Sequence, residues 1–469
     1  MAVALGSRVE ITLDVFEQVA WRGESVRIEA VALERADDTR EAFLRLLARP
    51  DVTVYGVTSG YGDRAGGRLD RDDRRRQALA AAFRAASFGE PLPERVVRGI
   101  VLARLSNFLD GHAAVSAQLV EAVASLLDES GRLPPVPLQG NGGSGEILAL
   151  SHLFGPLIES TDLGEKEGLA LLNGSPCAAA LVADSALAAE RRLRLAYDVF
   201  ATSVEAFRAP LDAYDEELDA LWGDEHEARA LRRLRARLDD HAKRRSHQGP
   251  VAFRILPRVL GEAERAIAAA ADVAAVSLRS VSDNPVYLPP SSDYPDGRVL
   301  STGGYHNAAA AAALHHLAVC WADLCQLAER HVERLVFGST GTLSDSEEVL
   351  RLLMMVAVGY GEEARAAAQP VLMARGGPGQ NDVSSPSFLA WAHERAAGDC
   401  LDSVLAVLAG AACRGLAGRE LHPTLDAVRA ESRPVVAVLD SGRAFGNELG
   451  ALADRFRERV YSPSAAEDR

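Results

Sequence analysis

Residues 140–153 read GNGGSGEILALSHL. Four of the first six residues are glycine, Ser144 stands between Gly143 and Gly145, and a helical apolar spacing follows at once in Ile147, Leu150, Leu153 and Phe154. Taken literally, Gly140 to Gly145 spells G-x-G-x-x-G, the loop that cradles a dinucleotide. That loop needs a buried strand before it, and LPPVPL at 133–138 holds three prolines, which a central strand does not tolerate. No Lys follows the last glycine, which removes a phosphate-binding P-loop. Two readings remain. One is a flexible loop ahead of a helix. The other is chemical: in a tight bend the amide nitrogen of Gly145 attacks the carbonyl of Gly143, Ser144 loses water to leave an alkene, and the backbone becomes an electrophilic ring. Glycines favour such a bend because they carry no Cβ to clash.

The rest of the chain bounds what this stretch can serve. With 469 residues, 48% hydrophobic and 25% charged, it is long enough for a large core. Length alone suggests two or three domains. No Pro/Ser/Gly linker interrupts the Ala/Leu/Arg/Glu-rich segments, so the expectation is one continuous all-α body. Its N-terminal region is 1–200, and a long-helix bundle with the C-terminal helices is 201–469. A formal net charge of -15 sets the chain against nucleic acid and anionic membranes as partners. The basic run at 229–245 then reads as a solvated helix face. Cys177, Cys320, Cys325, Cys400 and Cys413 form no C-x-x-C pair, which fits reduced thiols in a cytoplasmic protein. The N-terminus, MAVALGSRVE, lacks the features of a signal peptide, and no uncharged apolar run is expected to match a membrane span. His316 and Cys320 stand at metal-capable i,i+4 spacing without a third ligand nearby, so no metal is expected.

Along the chain, alternation of Val9, Ile11 and Leu13 predicts a strand over 8–14. Helices are expected at 36–50, 71–88, 94–109, 113–129, 162–194 with a break at Asn173-Gly174-Ser175-Pro176, 262–279, 306–337, 346–368 and 388–417. Irregular loops separate them at 51–66, 282–304 and 373–387, and these loops carry Tyr, Asn, Gln, Ser and Arg. Function on loops held by a rigid scaffold is the usual arrangement. A tyrosine on the Gly-rich 51–66 loop is a candidate acid or base, and Arg254, alone among apolar neighbours, needs a carboxylate partner from protein or substrate.

These pieces occur in an order that resembles the aromatic amino acid ammonia-lyase family, which comprises histidine, phenylalanine and tyrosine ammonia-lyases and the related aminomutases. Residues 55–62, YGVTSGYG, are similar to the Y-G-V-T-T-G-F-G loop, and the resemblance implies that Tyr55 is the catalytic base. Gly111-His112 resembles G-H-S-G-V, and Gly143-Ser144-Gly145 stands where the family has Ala-Ser-Gly. That tripeptide is the precursor of the ring 4-methylideneimidazole-5-one (MIO). Residues 167–174, EGLALLNG, resemble E-G-L-A-L-I-N-G-T, whose Asn, here Asn173, contacts substrate and ring. Arg254 matches the Arg that grips the substrate carboxylate, with Gln248 before it. Asp283-Asn284-Pro285, Gly304-Tyr305-His306 and the loop containing Asn381 complete the set. The resemblance thus implies catalytic roles for Tyr55, Gly143, Ser144, Gly145 and Asn173. It implies substrate contacts for Arg254, Arg84, Gln248, Tyr305, Asn381 and His112. It also implies an ammonia-lyase-like helical fold and a homotetramer with shared sites, with an amino acid as the small-molecule partner.

Four positions depart from the pattern. The approach to the tripeptide is one residue short and begins with Gly143 in place of Ala. Val251 replaces a Tyr, Asn381 replaces a Glu or Gln, and Arg84 stands at the position that selects the substrate side chain. An Arg there suits an anion, or else pairs with a protein acid. The implied activity is an MIO-dependent ammonia-lyase or 2,3-aminomutase acting on a non-standard amino acid with an acidic or polar side chain. The alternatives are a ring-free lyase of the same fold that expels a better leaving group with Tyr55 as base, and a non-catalytic binding subunit.

Overall fold

The computed structural model describes residues 2–62, 65–79, 84–128, 131–246, 248–337, 350–377, 379–441 and 443–462. In chain order its helices are α1 (Leu13–Phe16), α2 (Ala30–Ala48), α3 (Arg71–Leu79), α4 (Glu94–Leu109), α5 (Ala117–Ser125), α6 (Ile147–Ser160), α7 (Glu167–Leu172) and α8 (Pro176–Phe207). They continue with α9 (Glu217–Trp222), α10 (Glu225–Arg235), α11 (Val251–Arg254), α12 (Leu256–Arg279), α13 (Ala308–Phe337), α14 (Arg351–Ala367), α15 (Ser387–Arg414), α16 (Pro423–Asp440) and α17 (Gly446–Tyr461). Strands among the described residues form three two-stranded pieces. β1 (Val3–Leu5) runs parallel to β2 (Val26–Ile28), while β3 (Val286–Leu288) with β4 (Arg298–Leu300) and β5 (Ala374–Arg375) with β6 (Val383–Ser384) are antiparallel.

The bundle is built on α8, α12, α13 and α15, with α14 against α13 and α15 and the last two helices closing one side. Alanines let these helices approach closely, and most of α8 is buried along its whole length. A helix surrounded by others cannot keep a polar stripe. The expectation that no uncharged apolar run matches a membrane span leaves room for long apolar helices that carry a few charged residues. Glu167–Phe207, Ala308–Phe337 and Ser387–Arg414 are long and apolar enough to cross one, with mean hydropathies of 1.2, 1.3 and 1.5. Inside the protein 89%, 61% and 83% of those apolar windows is buried.

Polar groups inside the bundle are paired across helices, which fixes register. Arg192 on α8 grips Asp402 on α15 through Nε and Nη2, both at 3.0 Å. Gly398 leaves room for it, since a Cβ there would lie 2.5 Å from the guanidinium. Ser185 donates to Glu394 at 2.7 Å, and Arg95 reaches Asp184 at 2.7 Å.

The strand expected at 8–14 is absent. Arg8–Glu10 is a single 3-10 turn and α1 follows. The side chains of Ser7 and Thr12 accept from Val9 and Val15 N–H, so two N-caps stand where alternation suggested extension. Val9 is 57% exposed, and the alternating residues do not share a buried face. The break expected at Asn173–Pro176 separates α7 from α8, with Pro176 in the first turn of the longer helix. α12 begins at Leu256, six residues before the predicted start, because Pro257 is accommodated in its first turn. Residues 84–88, expected at the end of a helix, lack regular α structure; 80–83 lie outside the described residues, as do 346–349. α8 runs through residue 200, where the two regions were divided.

Candidate active site

The loops that leave the bundle converge on an open cleft of about 900 Å³. Tyr55 lies on its wall with Tyr61, Gln77, Arg84, Ile147, Leu169, Asn173 and Asn381. The Tyr55 loop is wound by its glycines: Gly56 and Gly62 have φ of 68° and 60°, open to residues without a Cβ. Gln77 on α3 holds the loop by donating to the carbonyls of Gly56 and Ser59 at 2.9 and 3.2 Å. The Gly62 N–H donates to the Tyr55 hydroxyl oxygen at 3.0 Å, so charge developing on that oxygen meets a fixed donor. Asn381 packs against the same loop, and a Cβ on Gly62 would lie 3.1 Å from its amide nitrogen.

Residues 143–145 are pinned from the other side. Gly143 N–H donates to Ser384 Oγ at 2.9 Å, Ser144 Oγ donates to the Val383 carbonyl at 2.8 Å, and Ser385 N–H donates to the Gly143 carbonyl at 3.1 Å. Gly143 and Gly145 have φ of 108° and 74°. At Gly143 an L side chain would be strained by that angle although the space around it is open. Tyr305 lies beside the tripeptide, 3.8 Å from where a Cβ on Gly145 would stand.

Glu146, the next residue, was not singled out by the sequence reading. Its carboxylate accepts from Cys177 N–H at 2.6 Å and Ala178 N–H at 2.7 Å, capping α8 from a distant loop. Ser175, the local cap position, makes no side-chain cap bond. Burial pushes the Glu146 carboxyl up to about 7 despite the two N–H donors. Beneath it Arg104 is fully buried and donates to the carbonyls of Ala170 and Asn173. Asn173 in turn donates from its amide to the Asn284 carbonyl and accepts from Gly174 N–H. Lys166 and Asp283 form a buried ion pair at 2.5 Å under the same loops, and burial lowers the Lys166 pKa. No sequence signal joins these pairs, whose members come from distant segments.

Arg84 lines the cleft with its guanidinium 4.1 Å above the Tyr61 ring, and among the described residues no ion pair reaches it. His112 sits apart from the cleft lining. Its Nδ1 is 3.0 Å from the Tyr287 carbonyl, while Tyr287 N–H donates back to the His112 carbonyl at 2.9 Å, so it ties the turn to β3. The segment with Gln248 and Arg254 also lies outside the cleft lining of its own chain. Gln248 is exposed, Val251 is 58% exposed, and Arg254 Nε donates to the Gly249 carbonyl at 2.9 Å. His316 pairs with Glu262 at 2.9 Å, and Cys320 faces the Glu262 carbonyl; no group of three metal-capable side chains occurs among the described residues.

Residues 11–438 match the family described as aromatic amino acid lyase. Histidine ammonia-lyase of Burkholderia pseudomallei is 26% identical, with 96% of each chain covered. Among solved structures, the ergothioneine-degrading enzyme ergothionase of Treponema denticola superposes with a TM-score of 0.88 at 18% identity, covering 98% of this chain and 99% of the other. Tyrosine aminomutase of Streptomyces globisporus gives 0.85 at 21% identity, covering 98% of both. The all-α architecture is the one those two enzymes share. With a family match over most of its length, the chain belongs to the aromatic amino acid lyase family, as a carbon–nitrogen lyase or aminomutase.

Proposed function

We propose that the chain is an MIO-dependent ammonia-lyase or 2,3-aminomutase. Its substrate in this reading is a non-standard α-amino acid with an acidic or polar side chain, and elimination of ammonia gives an α,β-unsaturated acid. The observation that carries the reading is the meeting of Tyr55, Asn173, Asn381 and Arg84 on one cleft wall, together with Ile147 just past the 143–145 tripeptide. The tripeptide fits the ring: both flanking glycines already hold φ angles in the left-handed half of backbone space, and its carbonyl and hydroxyl are engaged. Once formed, the ring supplies an electrophilic carbon that makes the substrate amine a better leaving group.

The other steps fall to side chains. Tyr55 takes the β proton, with the Gly62 N–H donor supporting the oxygen that loses its own proton. Asn173 lines the cleft with its amide fixed by the Asn284 carbonyl and Gly174 N–H, and in this reading it contacts the amino acid. Arg84, with no ion pair among the described residues, receives the anionic or polar end of the side chain and keeps its guanidinium stacked on Tyr61. Arg254 and Gln248 come from a second copy of the chain in a homotetramer with shared sites, and Arg254 holds the substrate carboxylate. Intact mass tests the ring: a chain two waters lighter than its sequence supports it, and a full mass removes it. A panel of amino acids followed by ultraviolet absorbance of the unsaturated acid tests the substrate. Arg84→Gln then lowers kcat/KM for an acidic substrate at least tenfold while sparing neutral ones.

The ring-free lyase is the second reading. Val251, where the family resemblance places a Tyr, carries no phenol to act beside the ring, and that favours it. Full activity of Ser144→Ala supports that reading, and loss of activity supports the first.

A further inference from the structure

The tripeptide is clasped by a segment that the proposed chemistry does not use. β6 and the residue after it contribute three contacts, one to each of three different groups of Gly143 and Ser144. Ser384 and Ser385 are 6% and 8% exposed, so the two contacts to Gly143 come from largely buried partners, whereas the Ser144 hydroxyl meets the Val383 carbonyl at the surface. Gly376 lets the β5–β6 turn close, since a Cβ there would lie 2.1 Å from the Asn381 carbonyl oxygen.

We propose that Val383–Ser385 is a built-in template for ring closure, with Ser384 as its positioning residue and the Ser385 N–H as the donor that activates Gly143. This inference rests on the MIO reading given above. In closure the Gly145 nitrogen bonds to the Gly143 carbonyl carbon. The carbonyl oxygen leaves as water with one proton from Gly145 nitrogen and one from Ser144 nitrogen, and a C=N bond remains between Gly143 carbon and Ser144 nitrogen. A second water takes the Ser144 hydroxyl and its Cα proton and leaves the exocyclic alkene. No oxidant enters, and the chain becomes lighter by two waters.

Each clasp contact meets one demand of that sequence. Negative charge develops on the Gly143 oxygen during attack, and the Ser385 N–H is already 3.1 Å away, as a donor aimed at an oxyanion must be. The Ser384 hydroxyl accepts from Gly143 N–H and fixes the peptide that enters the bend at φ 108°. The Val383 carbonyl holds the Ser144 hydroxyl, the group that later departs. The clasp is also long-range in sequence, so the tripeptide's geometry is set by a segment about 240 residues away rather than by the loop that precedes it.

The test follows intact mass with time after cell-free synthesis of the full chain. The parent, Ser384→Ala, Ser384→Thr and Ser385→Pro are compared, with thermal unfolding on the same samples. Ser384→Ala is expected to lose its waters about five- to tenfold more slowly than the parent, and Ser384→Thr to match the parent. Ser385→Pro, which deletes the donor and keeps Ser384, slows closure roughly a hundredfold. A merely structural clasp lowers the melting temperature and leaves the closure rate of folded chains unchanged, and that outcome overturns the proposal. A parent that keeps its full mass removes the ring reading and the template with it. A parent that closes while Ser384→Ala and Ser385→Pro keep pace removes the template alone.

Discussion

Tyr55 is the residue on which turnover most directly depends in the proposed chemistry. Its hydroxyl oxygen accepts from Gly62 N–H at 3.0 Å, and both residues belong to a loop held by Gln77. Tyr55→Phe keeps the ring in the cleft and removes only the oxygen. Turnover is therefore expected to fall at least about a hundredfold, with KM nearly unchanged and the melting temperature within a degree or two. Steady-state kinetics on the substrate found by the amino acid panel checks this; a variant that turns over at the parent rate removes Tyr55 as base. Single residues on Gly-rich loops were readable from sequence because glycine marks where the chain must bend, and Tyr55, Asn173 and Asn381 each lie within two residues of one. Arg84 was readable as a residue and not as a contact, because its stacking partner Tyr61 is a fact of distance.

At the level of elements, α6 and α8 are joined by a single carboxylate. Glu146 follows the 143–145 tripeptide and caps α8, so the start of the longest helix among the described residues and the end of the proposed ring precursor share one side chain. Burial raises its carboxyl from an ordinary value of 4.5 to about 7. Stability from this group is therefore fully present below pH 4.5 and is lost as pH rises through about 7. Glu146→Gln is neutral throughout. The difference in unfolding free energy between parent and variant should thus change by on the order of 3 kcal/mol across that window, with the parent losing stability as pH rises. Denaturant unfolding at a series of pH values reads this as a slope, which is insensitive to the constant cost of turning one acceptor into a donor. A difference that stays flat with pH would assign the carboxyl an ordinary titration. Long helices were legible because periodicity extends over many turns, as in 94–109 and 306–337. Segments of one or two turns were not. Over 8–14, alternation agreed with a strand, while the caps Ser7 and Thr12 decided for helical turns. The remote cap by Glu146 left no local trace, since its partners are 31 and 32 residues away.

The whole molecule separates what the proposed chemistry must unite. Tyr55, Asn173, Asn381 and Arg84 share one cleft, whereas Arg254, on α11, lies outside the lining of that cleft and has no ion pair among the described residues. α11 is itself firmly held: Tyr214 donates to the Phe253 carbonyl at 2.6 Å, and Phe253 stacks on the buried His331 at 3.8 Å between ring centroids. Arg254 is thus held half-buried on a fixed platform outside the cleft of its own chain, with Nε on the Gly249 carbonyl, and the proposed homotetramer is what would bring it to a neighbouring copy's site. Motif order named both groups as candidate site residues, and the family resemblance implied sites shared between chains, but neither indicated which residues a single chain brings to its own cleft. Complementation tests the arrangement. Tyr55→Phe and Arg254→Ala are each expected to be inactive alone. Co-expressed in equal amounts, they assemble hybrid oligomers in which the base of a site comes from one chain and the carboxylate-binding Arg from another. A site then draws an intact Tyr55 half the time and an intact Arg254 half the time, so roughly a quarter of parent activity returns. If one chain supplied both residues, every site would carry one of the two lesions, and the mixture would stay as inactive as its components.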